Sequence, residues 1–355
     1  MAVIPSVSLA TPLPQSVRPL RVGVLGYGYW GPNLARNVAA SNDSDLAWVA
    51  DLDERRLSVA RKAHPVARLT TSFDEVLRDA ALDAVVIATP PSTHYALARE
   101  ALERGKHVLI TKPIATSSAD ASHLLEIAKE YGRVLAVDHT FLFTGAVRRM
   151  KQYIDAGELG EIYYFDSIRI NLGLFQHDAN VIWDLAPHDI SIMLHLIDQR
   201  VRSVAAVGAC HVDSAVENIA YLTMRFDGPL LAHFHVNWLA PAKVRTLIVG
   251  GSRKMLVYDD VEASEKLKVY DSGARLAINT EDVYRTLVEY RTGDIVCPKI
   301  DKTEALTNEW AHFIRVVRGE DEPISGSDLG LRVVKLIEAA QRSLQLHGAP
   351  VEVPA

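Results

Sequence analysis

Six residues near the amino-terminal end constrain this chain more than any others: Gly26-Tyr-Gly28-Tyr-Trp-Gly31. The segment follows RVGVLG (Arg21–Gly26), a Val/Leu run that reads as a buried strand, and opens a helical pattern from about Pro32 to Ala40. Gly26 permits a tight turn out of the strand, Gly28 lets an anionic ligand approach the backbone, and Gly31 allows the helix to pack closely on the strand. The helix N-terminus then offers unpaired N–H groups to a phosphate. Glycines also mark ordinary turns. Strand, loop and helix in this order, however, are the context of a dinucleotide-binding βαβ unit, and Tyr29 and Trp30 on the loop are counted among its cofactor contacts.

The segments downstream extend the unit. LAWVAD (Leu46–Asp51), DAVVIATP (Asp83–Pro90), KHVLITKP (Lys106–Pro113) and RVLAVDH (Arg133–His139) read as further strands with helices between them. Near-continuous Val/Ile/Leu strands, each followed by a helix, predict a doubly wound parallel sheet covered on both faces, a Rossmann domain over residues 20–140. The character changes after about Phe141. A helix over Gly145–Ala156 ends at Gly157 and Gly160, and β-rich segments such as EIYYFDSIRINL, NIAYLTMRF, LLAHFHVNWL and RTLIVGG follow with short turns at Phe226–Pro229 and Gly250–Ser252. Strands without intervening helices predict a second α/β domain, residues 141–355, on a largely antiparallel open sheet. Two helices close the chain near Lys302–Arg318 and Asp328–Leu346. The fold class is therefore α/β plus α+β, with residues 1–19, which carry four prolines, read as a flexible leader.

Asp51 stands twenty residues after Gly31 at a strand end, where a carboxylate accepts the ribose hydroxyls of NAD and repels a 2′-phosphate. Asp53 is the better placed cap for the next helix. Arg55 and Arg56 follow closely, so NADP stays open beside NAD. Two more strands end in chemistry-bearing loops, Ala88–His94 (ATPPSTH) and Ile110–Pro113 (ITKP). Ligands bind at the carboxyl edge of a doubly wound sheet. Thr89, Pro90, His94, Thr111 and Lys112 are accordingly expected near the cofactor, with Lys112 toward its reacting end and His139 at the end of another strand.

In Trp183-Asp184-Leu-Ala-Pro187-His188-Asp189, Asp184 and His188 are four residues apart and share one helix face. Pro187 suits a first turn, which sets His188 at the positive helix end and keeps it neutral. Asp184 also serves as a candidate N-cap. His177, Asp178 and Asn180 precede the motif and Arg169 lies on a strand before it, all four candidates for substrate contact. His195 falls on an apolar helix face and reads as core. Cys210 and Cys297, the two cysteines of the chain, read as small buried apolar residues, and no Cys/His spacing demands a metal.

Taken together, GYGYWG, ATPPSTH, the Lys112-Pro113 pair and WDLAPHDIS resemble the Gfo/Idh/MocA oxidoreductases, from about Arg21 to the end of the chain. The family pattern reads Glu-Lys-Pro where this chain has Thr111-Lys112-Pro113. The resemblance implies an NAD(P)-dependent oxidoreductase acting on a sugar or nucleotide-linked sugar. It implies Lys112 and His188 in proton transfer, Asp184 as their partner, and Lys112, Arg169, Asn180, Trp183, Asp184 and His188 around the substrate. NAD-dependent glycoside hydrolysis and a non-catalytic NAD(P)-binding regulator are the alternatives on a related scaffold. A net charge of −6 gives no reason to expect a nucleic-acid partner. No apolar run is long enough to span a bilayer, which points to the cytoplasm. Apolar residues on LLAHFHVNWL and RTLIVGG predict a subunit interface, hence a homodimer or homotetramer.

Overall fold

A computed structural model of the chain describes residues 18–173, 179–212, 216–277 and 287–354. The predicted leader thus lies almost wholly outside the described residues, as do His177 and Asp178. The first unit alternates β1 (Leu20–Leu25), α1 (Gly31–Ala40), β2 (Ser44–Ala50), α2 (Glu54–Ala63), β3 (Arg68–Thr70), α3 (Phe73–Arg78), β4 (Ala84–Ile87), α4 (His94–Glu103), β5 (His107–Thr111), α5 (Ser118–Glu130) and β6 (Leu135–Asp138). Its six strands are parallel in the order β3-β2-β1-β4-β5-β6. Alternation along β4 explains the continuous apolar runs. Ala84 and Val86 enter the core on one face of the sheet, and Val85 and Ile87 enter the core on the other. The order of connection reverses between β1 and β4, which opens the ligand crevice at their carboxyl ends. Strand β3 has only three residues, too few for periodicity to reveal.

The second unit starts with α6 (Gly145–Asp155), β7 (Ile162–Leu172), α7 (Val181–Leu196), β8 (Val201–Ala209), β9 (Ile219–Phe226), β10 (Leu231–Asn237), β11 (Leu239–Gly251), β12 (Met255–Asp259) and β13 (Leu267–Tyr270). It continues with β14 (Gly273–Ala277), β15 (Leu287–Arg291), β16 (Ile295–Val296), α8 (Ala305–Val317), α9 (Ser327–Gln345) and β17 (Val351–Glu352). Nine strands form one sheet, β16-β13-β12-β11-β7-β10-β9-β8-β17, in which β7 and β10 are parallel and the other pairs antiparallel; β14 and β15 pair separately. Helices cover one face of the large sheet, burying Phe165, Leu222, Phe234 and Val249.

Two features differ from the sequence reading. Residues after 141 do not all serve the second sheet. Helix α8 returns to the first, where Leu306, Trp310, Phe313 and Ile314 share a core with Val22, Val24 and Leu34, and the Trp310 indole donates to the Ser44 hydroxyl at 2.9 Å. Helix α9 joins both units, with Val334 in the β5–β6 core and Val333 and Ile337 in the core of the second sheet. The cysteines, expected to be buried, are both exposed thiols. Cys210 lies just past β8 and Cys297 just past β16, at strand ends where no layer covers them.

Candidate functional site

The glycine loop is shaped partly by its own packing. Gly26 has φ of +94°, and a Cβ there would stand 2.6 Å from the Ala88 carbonyl oxygen. A Cβ on Gly31 would stand 2.1 Å from the Gly26 carbonyl oxygen. Gly28 is different. The nearest atom to a Cβ there is Arg56 Nη1, at 3.6 Å, so the protein itself does not exclude a side chain. An open approach to bare backbone fits a ligand phosphate lying on the loop, and no side chain caps the first turn of α1. Tyr29 is exposed and stacks on Trp30, whose indole turns inward to Asp138.

Asp51 follows β2 directly. Its Oδ2 accepts from the Tyr27 backbone N–H at 2.6 Å and its Oδ1 from that of Asp53 at 2.9 Å. The carboxylate is thus fixed at the loop, while Asp53 caps α2. The half-exposed Arg56 lies over Gly28 with Nη1 3.4 Å from Asp51 Oδ2, a cation beside the fixed carboxylate.

Beyond β4, Thr89 is buried and accepts a 2.7 Å bond from the Thr93 hydroxyl, and Pro90 is exposed. His94, expected to contact the cofactor, instead braces two loops. Its ring is fully buried, with Nδ1 2.7 Å from the Pro113 carbonyl and Nε2 2.8 Å from that of Thr89. Both nitrogens are occupied by backbone. Thr111 Oγ1 lies 3.4 Å from the same Nε2, so the residue that replaces the family glutamate faces the brace.

The next residue crosses to the second unit. Lys112 Nζ donates to the Asp184 carbonyl at 2.6 Å and to its Oδ1 at 3.2 Å, and both side chains are only partly buried. The other Asp184 oxygen accepts from the Trp238 indole at 3.0 Å. Asp184 therefore holds Lys112, not His188 as the four-residue spacing suggested. Asp184 and His188 still share a face, yet the helix start differs from the expectation. Asn180, not Asp184, caps α7, its Oδ1 accepting from the N–H groups of Ile182 and Trp183 at 3.2 and 3.3 Å. Pro187 lies inside the helix. His188 is thus nearly two turns from the positive end, and its neutrality has another origin. Burial comes first, then the charges of Lys112, Arg169 and Arg245, which together hold its pKa well below the usual imidazole value. Among the described residues its buried Nδ1 has no hydrogen-bond partner, and Phe141 packs edge-on against the ring at 5.2 Å.

Three residues expected at the ligand are enclosed or engaged by the protein itself. Arg169 is 4% exposed, with Nε and Nη2 on the Asp189 carboxylate at 2.9 and 2.6 Å and its guanidinium over Phe141. Asn180 donates through its amide nitrogen to Glu217 and Gln341 at 2.8 and 2.7 Å while its oxygen caps α7, which leaves nothing for a substrate. His139 is 1% exposed, and burial followed by Lys112 lowers its pKa to about 3. Trp183 packs between the cores of both units and stays partly exposed. The sequence reading missed Trp238, Phe141 and Asp189. The i+5 offset of Asp189 from Asp184 and the isolated aromatics carried no periodic signal. Among the described residues no group of His, Cys, Asp and Glu is arranged to hold a metal ion.

Residues 20–139 match the family model described as an oxidoreductase family with an NAD-binding Rossmann fold, and residues 147–257 match the GFO/IDH/MocA C-terminal domain. Among curated relatives, the uncharacterized oxidoreductase YdgJ of Escherichia coli is 29% identical over 70% of this chain and 73% of its own length. UDP-N-acetylglucosamine 3-dehydrogenase of Acidithiobacillus ferrooxidans is 36% identical over 58% of this chain and 63% of its own. A solved structure of that dehydrogenase superposes with a TM-score of 0.78 at 25% identity, covering 94% of this chain and all of the other.

Proposed function

Since the chain belongs to the GFO/IDH/MocA oxidoreductase family, with its NAD-binding Rossmann fold, we propose that it moves a hydride between NAD and a carbinol or keto carbon of a sugar or nucleotide-linked sugar. The carrying observation is the junction of Lys112 with Asp184, beside a neutral His188. A flexible cation from one unit and a proton acceptor from the other meet at the carboxyl edge of the first sheet.

When bound, the nicotinamide supplies the hydride acceptor or donor. Lys112 donates a hydrogen bond to the reacting oxygen and stabilises alkoxide character there, because its ammonium is already aimed by the Asp184 carbonyl and carboxylate. In the oxidising direction the hydroxyl proton passes to the His188 ring. In the reducing direction His188 returns it to the alkoxide. A depressed pKa keeps the ring free to accept at neutral pH. Asp184 is a positioning residue for Lys112, and Trp238 positions Asp184. Asp51, with both oxygens fixed by backbone, favours the ribose hydroxyls of NAD; Arg56 keeps NADP as a second possible coenzyme. The sugar class rests on the relatives' activity and on the polar, partly exposed junction.

A panel of UDP-hexosamines, their uronates and inositols, followed by NADH absorbance, tests the reading. Lys112→Met is expected to lower kcat about a thousandfold on the active substrate while the NAD Kd stays within about threefold. Undiminished kcat would remove Lys112 from the chemistry. Cleavage of a nitrophenyl glycoside without net NADH would replace the proposed reaction by hydrolysis. The uncovered sheet face, with Ile168, Tyr221 and Leu231 exposed, supports self-association as a dimer or tetramer, which a monomeric mass by light scattering would refute.

A further inference from the structure

Glu309, in the middle of α8, is 2% exposed, and neither of its carboxyl oxygens has a hydrogen-bond donor on it among the described residues. The group against it is a second carboxyl, that of Asp138 at the end of β6, itself 3% exposed. Asp138 is occupied on its other sides. Its Oδ2 accepts from the Trp30 indole at 2.5 Å, and its Oδ1 accepts from the Thr140 backbone N–H at 3.2 Å and from the Thr140 hydroxyl. Two ionised carboxylates in contact away from water repel strongly, so such a pair retains a proton. Among the described residues the donors in good bonding geometry all point at Asp138, and only the more loosely placed His139 backbone N–H faces Glu309, which leaves the proton on Glu309. Burial and the neighbouring Asp138 both raise the Glu309 pKa well above the usual carboxyl range.

We infer that Glu309 and Asp138 share one proton and form a positioning pair for Trp30. Glu309 donates to Asp138, Asp138 accepts from the indole, and Trp30 is held as a fixed wall of the dinucleotide cleft beside Gly31. The inference rests on the glycine loop being the coenzyme site. It explains why an acid is retained inside an apolar wall made by Leu109, Val137, Phe143 and Phe313. With one proton shared, a single negative charge, not two, stands behind a loop that receives a diphosphate. The charge is spent on holding Trp30. The neighbouring titratable groups do not supply an alternative partner. His139 is enclosed with neither ring nitrogen partnered among the described residues, and His312, one turn along α8, faces Asp321 and Arg315.

Three variants of the full chain and one spectrum test the pair. Glu309→Gln keeps a donor toward Asp138 and is expected to bind NAD within about twofold of the wild-type Kd, whereas Glu309→Leu raises Kd about tenfold. Trp30→Phe removes the other end of the same chain, so it raises Kd by a similar factor, and combining it with Glu309→Leu adds little. Infrared spectra above neutral pH are expected to show a protonated-carboxyl C=O stretch in the wild type that is missing from Glu309→Gln. The proposal is overturned if the wild type lacks that band, if Glu309→Gln binds as weakly as Glu309→Leu, or if the effects of Trp30→Phe and Glu309→Leu multiply. Should Glu309→Leu not fold, the band and the Glu309→Gln and Trp30→Phe affinities still decide. A wild-type chain that bound no NAD would sink the reading of the glycine loop, while the band tests the shared proton without coenzyme.

Discussion

Lys112 and Arg169 are two cations close to His188 with opposite roles, and their partners explain the difference. Lys112 is partly exposed and held by one carbonyl and one carboxylate oxygen of Asp184, which is what the proposed role at a substrate oxygen requires. Arg169 is buried in a two-point pair with Asp189, which also accepts from the Ser167 hydroxyl at 2.7 Å. Removing one member of such a pair leaves an uncompensated buried charge. Arg169→Met is therefore expected to lower unfolding free energy by about 3–5 kcal/mol, measured by urea titration. Adding Asp189→Leu to it should recover most of that loss, and a single variant of wild-type stability would show that the pair contributes nothing. The sequence singled out both cations and set both around the substrate, without separating the buried pair from the partly exposed junction. Asp184 and His188 were legible as neighbours because four residues on a helix fix their geometry locally. The pairing of Arg169 with Asp189 spans twenty residues and two elements, and depends on which strand face α7 covers.

Helix α7 carries Asp184 and His188, so its N-terminus determines where both side chains stand. The helix itself was legible; its first residue was not. Asp184 three residues before Pro187 imitates a cap followed by a first turn, and both residues are in fact interior. The true cap, Asn180, is identified by its contacts with Glu217 after the β8 strand and Gln341 on α9, which no local pattern encodes. Asn180→Ala removes two backbone caps and two side-chain bonds and is expected to cost about 1–2 kcal/mol in urea unfolding. It should also lower kcat, because the first turn of α7 loosens beside Lys112. Asn180→Ser restores the capping oxygen alone, so its stability should fall between the two. Equal stability of the alanine and serine variants would mean that the cap is not what fixes the helix.

The two units are joined by α8 and α9 and by the Lys112–Asp184 contact, and several of their histidines are buried or half-buried in this joined body. The doubly wound half was readable in order, β3 excepted, because its other strands are short apolar runs. The return of α8 to that half was not, since a single amphipathic helix fits either sheet. The burial has a consequence for stability against pH. Burial first, and neighbouring cations second, lower the pKa values of His107 and His195 to about 4 and that of His139 to about 3. His107 Nδ1 accepts from the Val134 N–H at 3.0 Å, as a neutral ring does. Below the ordinary imidazole value of 6.5 the unfolded chain binds protons at these three sites while the folded chain does not. Stability then falls as pH falls, by about 1.4 kcal/mol per pH unit for each histidine. Glu309 acts in the opposite sense, since the folded chain keeps its proton where the unfolded chain releases it. His188, His94, His64, His235 and His312 are lowered in the same sense, so the histidines outweigh Glu309 and stability declines from roughly pH 6.5 to pH 4.5. Unfolding free energies by urea titration across that window should decline accordingly. In a chain carrying both His107→Gln and His195→Gln, two of those protons are gone and the decline should be shallower by about 3 kcal/mol per pH unit. A wild-type curve that is flat across the window would mean that these rings are not held neutral by the fold.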